Sequence, residues 1–394
     1  MAMTNHNSRQ DYLKQLKGLY LTAKRNKDKK LKTELLNQAV AFTGLNRKYL
    51  IRKLGDTSRK YQSPIASDRS KTRGRKPIYG SGAFMDALLV CWKSTNHSCA
   101  ENLQPYLKDL VPHLEALGEL KIPVGIKQQL LQVSISTIAR KLKYHSVKDR
   151  IPIGISTTRP GDLLKSQIAV RKGRWDETQP GCLETDTVAH CGDQNIGLYI
   201  HSYNFVDIAT SWSEQVAVMG VGEAATIRAL KDIRVRLPFR VTSIDADNGS
   251  EFINWHLMRY CQKEDINFTR SRPYKKNDNA HVEQKNNSAI RKMVGYARYD
   301  TADELAIMNT LYSGPLRLYL NFFQPTRKRK VKLRGTKTGK VIKTYFEAMT
   351  PYQRVMKSST VDQQTKQMLE SEYNKSNPVK LLAEIQVLLK TLDK

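Results

Sequence analysis

Three acidic residues, Asp186, Asp247 and Glu283, stand in local sequences that could bring carboxylates together. Asp186 lies in Leu183-Glu184-Thr185-Asp186-Thr187-Val188. Asp247 opens Asp247-Asn248-Gly249-Ser250-Glu251-Phe252, and Glu283 lies in Asn279-Ala280-His281-Val282-Glu283-Gln284-Lys285. Thirty-five residues separate the last two acids. Carboxylate oxygens suit hard divalent cations such as Mg²⁺, which is held by one or two carboxylates with water and substrate phosphate. Two such ions about 3.5–4 Å apart can activate an attacking oxygen, stabilise a leaving one and offset charge at phosphorus. The chemistry this donor set suits is therefore cleavage and exchange of phosphodiester bonds. A zinc site would call for His and Cys ligands. A hydrolase triad would call for a Ser or Cys paired with His, and no such pairing stands out.

The surrounding pattern places each acid on an element. Residues 181–190 read as a short strand with Asp186 and Glu184 on one face, since strand side chains alternate. Residues 241–247 read as a second strand that runs into an Asn248-Gly249 turn. Asp247 then sits at the strand's end, where α/β folds collect ligands. Glu283 follows a polar, turn-rich stretch, 274–279, and falls in the first turns of a helix that Asp278 or Asn279 could cap. Asn279, Glu283 and Asn287 are spaced four apart and share that helix's face. Glu184 competes with Asp186 for the same role. Asp245 shares the parity of Asp247 and reads as a neighbour, and Asp207 ends a further strand. A lone surface Asp is more often a solvated charge or a turn cap than a ligand.

These motifs, in this order and with this interval, resemble the DDE catalytic signature of transposases and retroviral-type integrases. Residues 181–300 resemble an integrase core of the RNase H-like type. Three strand-like runs are followed by a helix over 223–236, with Ile227, Leu230 and Ile233 at helical spacing. The Asp247 strand comes next, then a helix with Phe252, Trp255, Met258 and Cys261 as its apolar stripe, then a last strand at 266–269. Closer still is the resemblance to bacterial insertion-sequence transposases. It is carried by Ser271-Arg272-Pro273-Tyr274-Lys275-Lys276-Asn277-Asp278 ahead of Glu283, by Thr158-Arg159-Pro160-Gly161 and by Thr350-Pro351-Tyr352-Gln353-Arg354. One departure stands out. Retroviral integrases carry an N-terminal His-His-Cys-Cys zinc module, whereas His6 has no Cys nearby and the first Cys is Cys91.

The resemblance implies that Asp186, Asp247 and Glu283 are catalytic and hold two Mg²⁺ or Mn²⁺ ions. It implies cleavage at the 3′ ends of a mobile DNA element and strand transfer into target DNA, by a homo-oligomer on double-stranded DNA. Lys275, Lys276, Lys285 and Arg291 would grip phosphates near the site, and Asn248 and His281 would orient the acids or the DNA. The bland alternative for these cations is a solvated surface. A bacterial cytoplasm, in association with the nucleoid, is the implied location.

Charge points the same way. Lys and Arg number 66 against 37 Asp and Glu, a net +29. The sequence pI is about 9.8. Such an excess is the footprint of a polyanion partner. No run of about 20 apolar residues could span a bilayer, and residues 1–10 lack the apolar stretch of a signal peptide. Five cysteines form no Cys-x-x-Cys pair, so reduced thiols fit better than a disulfide framework.

The chain reads as multidomain: N-terminal all-α helix-turn-helix units, an α/β core and a small basic C-terminal β module. Residues 1–60 suggest helices over 11–24, 31–42 and 47–54. The last follows a turn at Thr43-Gly44-Leu45-Asn46 and carries Arg47, Lys48, Arg52 and Lys53, a set suited to a recognition helix in the major groove. A small bundle with a solvated basic face is the alternative. Residues 61–77 read as a basic linker and 78–150 as a second helical unit. There Pro105 and Pro112 are expected to start or break helices, and 130–142 suggests another helix-turn-helix. Residues 151–180 read as a linker. Residues 301–360 contain a basic hairpin around 326–343, and 361–394 form a helical tail.

Overall fold

The computed structural model describes residues 6–55, 78–145, 168–170, 178–247, 252, 254–271, 280–334 and 341–392. Its contacts divide the chain into two compact units, Met1–Arg75 and Lys76–Lys394.

The first unit is helical: α1 (His6–Arg25), α2 (Lys29–Thr43) and α3 (Arg47–Gly55). Leu13, Leu16, Tyr20, Leu35, Leu36, Leu50 and Leu54 form its core. Asp28 caps α2 by accepting the Leu31 N–H at 3.0 Å. Gly44, at φ 65, closes the same helix by donating to the Val40 carbonyl. Only a residue that tolerates the left-handed region turns the chain there cheaply. Asn46 then accepts the Lys48 N–H at 2.9 Å and starts α3. Arg47, Lys48, Arg52 and Lys53 are all exposed on α3.

The second unit begins with α4 (Gly82–Ser94), α5 (Ala100–Ala116), α6 (Val124–Gln132) and α7 (Ile135–Leu142). Ser81 and Ser134 cap α4 and α7. Contrary to the sequence expectation, α5 runs through both Pro105 and Pro112. An interior proline costs a helix about 3 kcal/mol. Here the buried stripe of Leu103, Tyr106, Leu107, Leu110, Val111 and Leu114 outweighs that cost.

The α/β part follows: β1 (Ala169–Val170), β2 (Cys182–Ala189), β3 (Ile200–Asp207), β4 (Ser213–Met219), α8 (Glu223–Arg236), β5 (Ser243–Ala246), α9 (Trp255–Lys263) and β6 (Asn267–Arg270). Next come α10 (Ala280–Lys285), a π-helical turn (Asn286–Arg291) and α11 (Lys292–Val294). The six strands form one mixed sheet in the order β1-β6-β5-β2-β3-β4. Strands β2, β3 and β4 are antiparallel, and β5, β6 and β1 run parallel to β2. The segment read as a linker thus supplies an edge strand, β1. On α9 the buried residues are Leu257 and Cys261, while Trp255 is 41% exposed, so the expected stripe is only partly right.

The chain ends in α12 (Ala302–Ser313), α13 (Pro315–Phe322), the antiparallel pair β7 (Arg329–Arg334) and β8 (Val341–Tyr345), then α14 (Pro351–Lys357), α15 (Gln363–Lys375) and α16 (Pro378–Leu392). These helices share one core with the sheet, through Tyr312, Tyr319, Phe322, Phe323, Val355 and Ile385. They also hold the helical lobe. Tyr106 donates to the Phe322 carbonyl at 3.1 Å, Tyr319 to the Ser94 carbonyl at 3.0 Å, and the His113 ring meets the Ser376 carbonyl at 2.9 Å. No helix among the described residues is long and apolar enough to cross a membrane.

Two turns rest on buried charges. Asp207 accepts the N–H groups of Gly181 and Thr210 and the Thr210 hydroxyl at 2.6–2.8 Å. It is therefore a structural anchor, not a ligand. Arg354 donates to the carbonyls of Thr210 and Thr326 and to the Thr326 hydroxyl. Thr350 and Gln353 form a reciprocal capping box that starts the same helix. The Thr350–Arg354 motif thus has a structural function.

Burial holds the His190 imidazole down at about 3 and that of His201 at about 4. The unfolded chain would protonate both near the ordinary value of about 6.5. The folded-state values are depressed, so their contribution is complete above about 6.5 and is lost as pH falls toward 4. Each histidine should cost up to about 1.4 kcal/mol of stability per pH unit in that window. In urea unfolding between neutral pH and about pH 4, His201→Phe should flatten the slope by one histidine's share. An unchanged slope would count against this assignment.

Candidate functional site

The site begins with strand register. On the adjacent parallel strands β2 and β5, Glu184 stands opposite Asp245 and Thr185 opposite Ala246. Asp186 and Asp247 each follow that last pair by one residue. Parallel partners project to the same side of a sheet, so Glu184, Asp186 and Asp245 share a face, and Asp247 leaves β5 at the same edge. Across β2, Asp186 pairs with Asn204 of β3, which pairs in turn with Gln215 of β4. The neighbouring residue Tyr203 bonds Thr226 of α8 at 3.0 Å, on the opposite face.

The four acids on this edge divide by burial and partners. Glu184 is 1% exposed. Its Oε2 accepts the N–H groups of His281 and Val282, at 2.9 and 3.1 Å. This carboxylate fixes the start of α10 by satisfying helix-terminal donors and meeting the positive end of the helix. Asp245 is fully buried and accepts the Thr269 hydroxyl at 2.6 Å. Asp186 and Asp247 are only partly buried. Of the two acids that share β2, Glu184 is committed to the helix and Asp186 faces the open side.

A chain of amides orients Asp186. Gln215 donates to Asn204 at 3.0 Å, Asn204 to Asn286 at 2.7 Å, and Asn286 to Asp186 Oδ2 at 2.7 Å. The other Asp186 oxygen accepts the N–H of Thr187 at 2.8 Å. Asn286, not Asn287, therefore looks at the site, and Asn287 is exposed. Asn286 lies three residues past Glu283, a helical spacing that shares a face as the four-residue one does, and a π-helical turn begins at it. Glu283 lies three residues before Asn286. It is exposed and has no hydrogen bond or ion pair among the described residues.

The carboxylate donors suit Mg²⁺ or Mn²⁺ by type. As placed, however, no three His, Cys, Asp or Glu side chains among the described residues stand close enough to hold a metal ion. The structure brings Asp186 and Asp247 to one edge and hangs the Glu283 helix over the same sheet, without closing the three into a cage. Asn248, Lys275, Lys276, Asp278 and Asn279 lie outside the described residues. Arg291 stacks on Tyr296 at 4.7 Å. Lys285 is 6% exposed, so it is not the surface cation that its sequence suggests.

Comparison with known proteins gives one close relative. The chain is 35% identical over 327 residues to the uncharacterized protein y4rM of Sinorhizobium fredii, covering 82% of this chain and 89% of y4rM. It belongs to the y4rM family. No protein-family model matches it. Among solved structures, it is similar to the HTLV-2 integrase catalytic core domain in complex with magnesium. The identity is 15%, over 41% of this chain and 93% of that one, with a TM-score of 0.27. A chain of the simian T-cell lymphotropic virus intasome in complex with PP2A regulatory subunit B56 gamma is similar at 13% identity. It covers 55% of this chain and 70% of that one, with a TM-score of 0.30. At these scores neither structure assigns a role to a residue of this y4rM-family protein.

Asn204, Gln215 and Asn286 are absent from the sequence-level site. For Asn204 and Gln215 the signal was an uncharged polar residue inside a strand otherwise rich in Val, Phe and Tyr; Asn286, in the π-helical turn, had none. The thiols have no part in it: burial pushes Cys91 and Cys261 up to about 12.

The division of labour among the acids is measurable. Glu184→Ala would leave two buried N–H groups without an acceptor and should lower stability by roughly 2–4 kcal/mol. Glu283→Ala should leave the urea midpoint where it is. Equal losses in the two variants would show that Glu283 is also structural.

Proposed function

We propose that this y4rM-family protein is a DDE-type transposase of a bacterial insertion sequence. It binds the ends of a mobile DNA element, cleaves at the 3′ ends and joins them to target DNA. The observation that carries this reading is the placement of Asp186 and Asp247 one residue past a register pair on adjacent parallel strands, with the Glu283 helix anchored beside them by Glu184. The three carboxylates are the ligands, Asn286 sets the orientation of the Asp186 oxygens, and Glu184 fixes the height of the helix. When bound, a pair of Mg²⁺ or Mn²⁺ ions supplies an activated oxygen nucleophile and offsets charge at phosphorus. Strand transfer exchanges one phosphodiester for another, so no nucleotide is consumed.

The net charge of +29 supports a DNA partner. In this reading residues 1–60 bind the element's ends through Arg47, Lys48, Arg52 and Lys53 on α3. Residues 78–150 are a second end-binding unit, 181–300 the catalytic core and 301–360 a basic C-terminal module. Lys275, Lys276, Lys285 and Arg291 meet phosphates near the site. Two ends held together call for a homo-oligomer on double-stranded DNA.

The test is cleavage and strand transfer on DNA carrying the element's own ends, with and without Mg²⁺, in wild type and Asp247→Asn. Wild type should give both products, and the variant should bind DNA but give neither. End binding without metal-dependent cleavage in either protein would replace the proposal with a DNA-binding regulator. Cleavage without joined products would replace it with a nuclease.

A further inference from the structure

On another side of α10 from Glu283, over Val206, the β3 partner of Glu184, lies a cavity of about 230 Å³. Lys285 and Ser288 line it from the α10 helix and the turn that follows, Ser211 from the loop after β3, and Arg327, Lys328 and Arg329 from the approach to β7. Lys285 is more than nine-tenths buried and has no hydrogen bond or ion pair among the described residues. Arg327 and Arg329 likewise form no ion pair there. Arg327 instead stacks on Tyr345 at 5.0 Å, and Lys328 donates to the Ile208 carbonyl. A buried ammonium without a counter-ion is costly, and here more cations surround it. The Ser211 hydroxyl adds a neutral donor at the wall, whereas the Ser288 hydroxyl already donates to the Gln284 carbonyl at 2.9 Å.

We propose that this cavity is a binding site for a tetrahedral oxyanion of the phosphate class, either a backbone phosphodiester of DNA or a free phosphate. The size, the Ser211 hydroxyl and the convergence of Lys285 with Arg327 and Arg329 suit one such group and exclude a cation. The DNA form of the proposal deepens the transposase reading, while the anion site itself stands without it.

The groups that face Lys285 are Arg354 on α14, Arg327, Lys328 and Arg329 before and on β7, Tyr345 on β8 and His281 on α10. Among the described residues, the buried acid close to Lys328, Asp207, is already bound to Gly181 and Thr210.

The experiment uses the full chain and inorganic sulfate. Thermal unfolding is followed in millimolar sulfate and in chloride at matched ionic strength, at about pH 7, for wild type and Lys285→Met. Wild type should gain a sulfate-specific rise in Tm. Lys285→Met should lose that rise while matching or exceeding the wild-type Tm in chloride, since it removes an uncompensated buried charge. Should that variant not fold, Arg327→Gln and Arg329→Gln test the same wall and should each weaken the rise. Equal sulfate responses in wild type and variants would overturn the proposal. A second arm measures binding of a duplex of arbitrary sequence against salt. A slope smaller by about one in Lys285→Met assigns the site to a DNA phosphate. Loss of the sulfate response with an unchanged slope assigns it to free phosphate. A protein that shows the sulfate response but never cleaves DNA retains this site and loses the proposed function.

Discussion

The position of the Glu283 helix depends on one buried carboxylate. Glu184 projects from the middle of the sheet and takes two N–H groups at the start of α10, a helix of six residues. A helix that short has little stability of its own, and its terminal donors would otherwise lie unsatisfied against the sheet. The interaction therefore sets both the existence of the helix and its register above β2. Asp186, two residues along the same strand, shares that face and stays only partly buried. The arrival of α10 over Glu184 thus separates a structural carboxylate from a candidate ligand.

The same sheet carries a second constraint through neutral amides. Gln215, Asn204 and Asn286 connect three elements by donor-to-acceptor steps that end on Asp186. Amides suit this task because each is both donor and acceptor and none brings a charge into the interior. Around them the core is aromatic and aliphatic, from Tyr203 and Phe205 in β3 to Phe322 and Phe323 after the sheet. Positive charge lies outside that core, on α3 and around the β7 approach, with Lys285 and Arg354 as the buried exceptions.

Much of this was legible in residue patterns. The helix over 223–236 has the limits its spacing suggests, and the strand that holds Asp186 and the one that leads to Asp247 fall within one or two residues of their expected ends. Those features depend on local periodicity and turn chemistry. Other features depend on partners far away in sequence. Pro105 and Pro112 look like helix breakers until the buried face of α5 is known. Glu184 and Asp186 share parity, and only the arrival of α10, about a hundred residues later, separates their roles. Asn286 supplants Asn287 because positions three and four past Glu283 share its face alike, and only the partners Asn204 and Asp186, far away in sequence, select between them. Lys285 reads as a surface cation because nothing nearby shows that Thr326, Arg327, Lys328, Arg329, Tyr345 and Arg354 will gather around it.

Arg354 joins stretches that are made at very different times. Its guanidinium closes the turn at Thr210, 144 residues earlier, and the strand approach at Thr326, 28 residues earlier. During synthesis the chain grows from its N-terminus. A nascent chain that has reached residue 300 already contains every acid of the candidate site, yet lacks the helices that complete its core and the arginine that locks the turn beside it. The reactive groups are thus translated well before their scaffold can be finished. Residues 301–394 decide when this core becomes native.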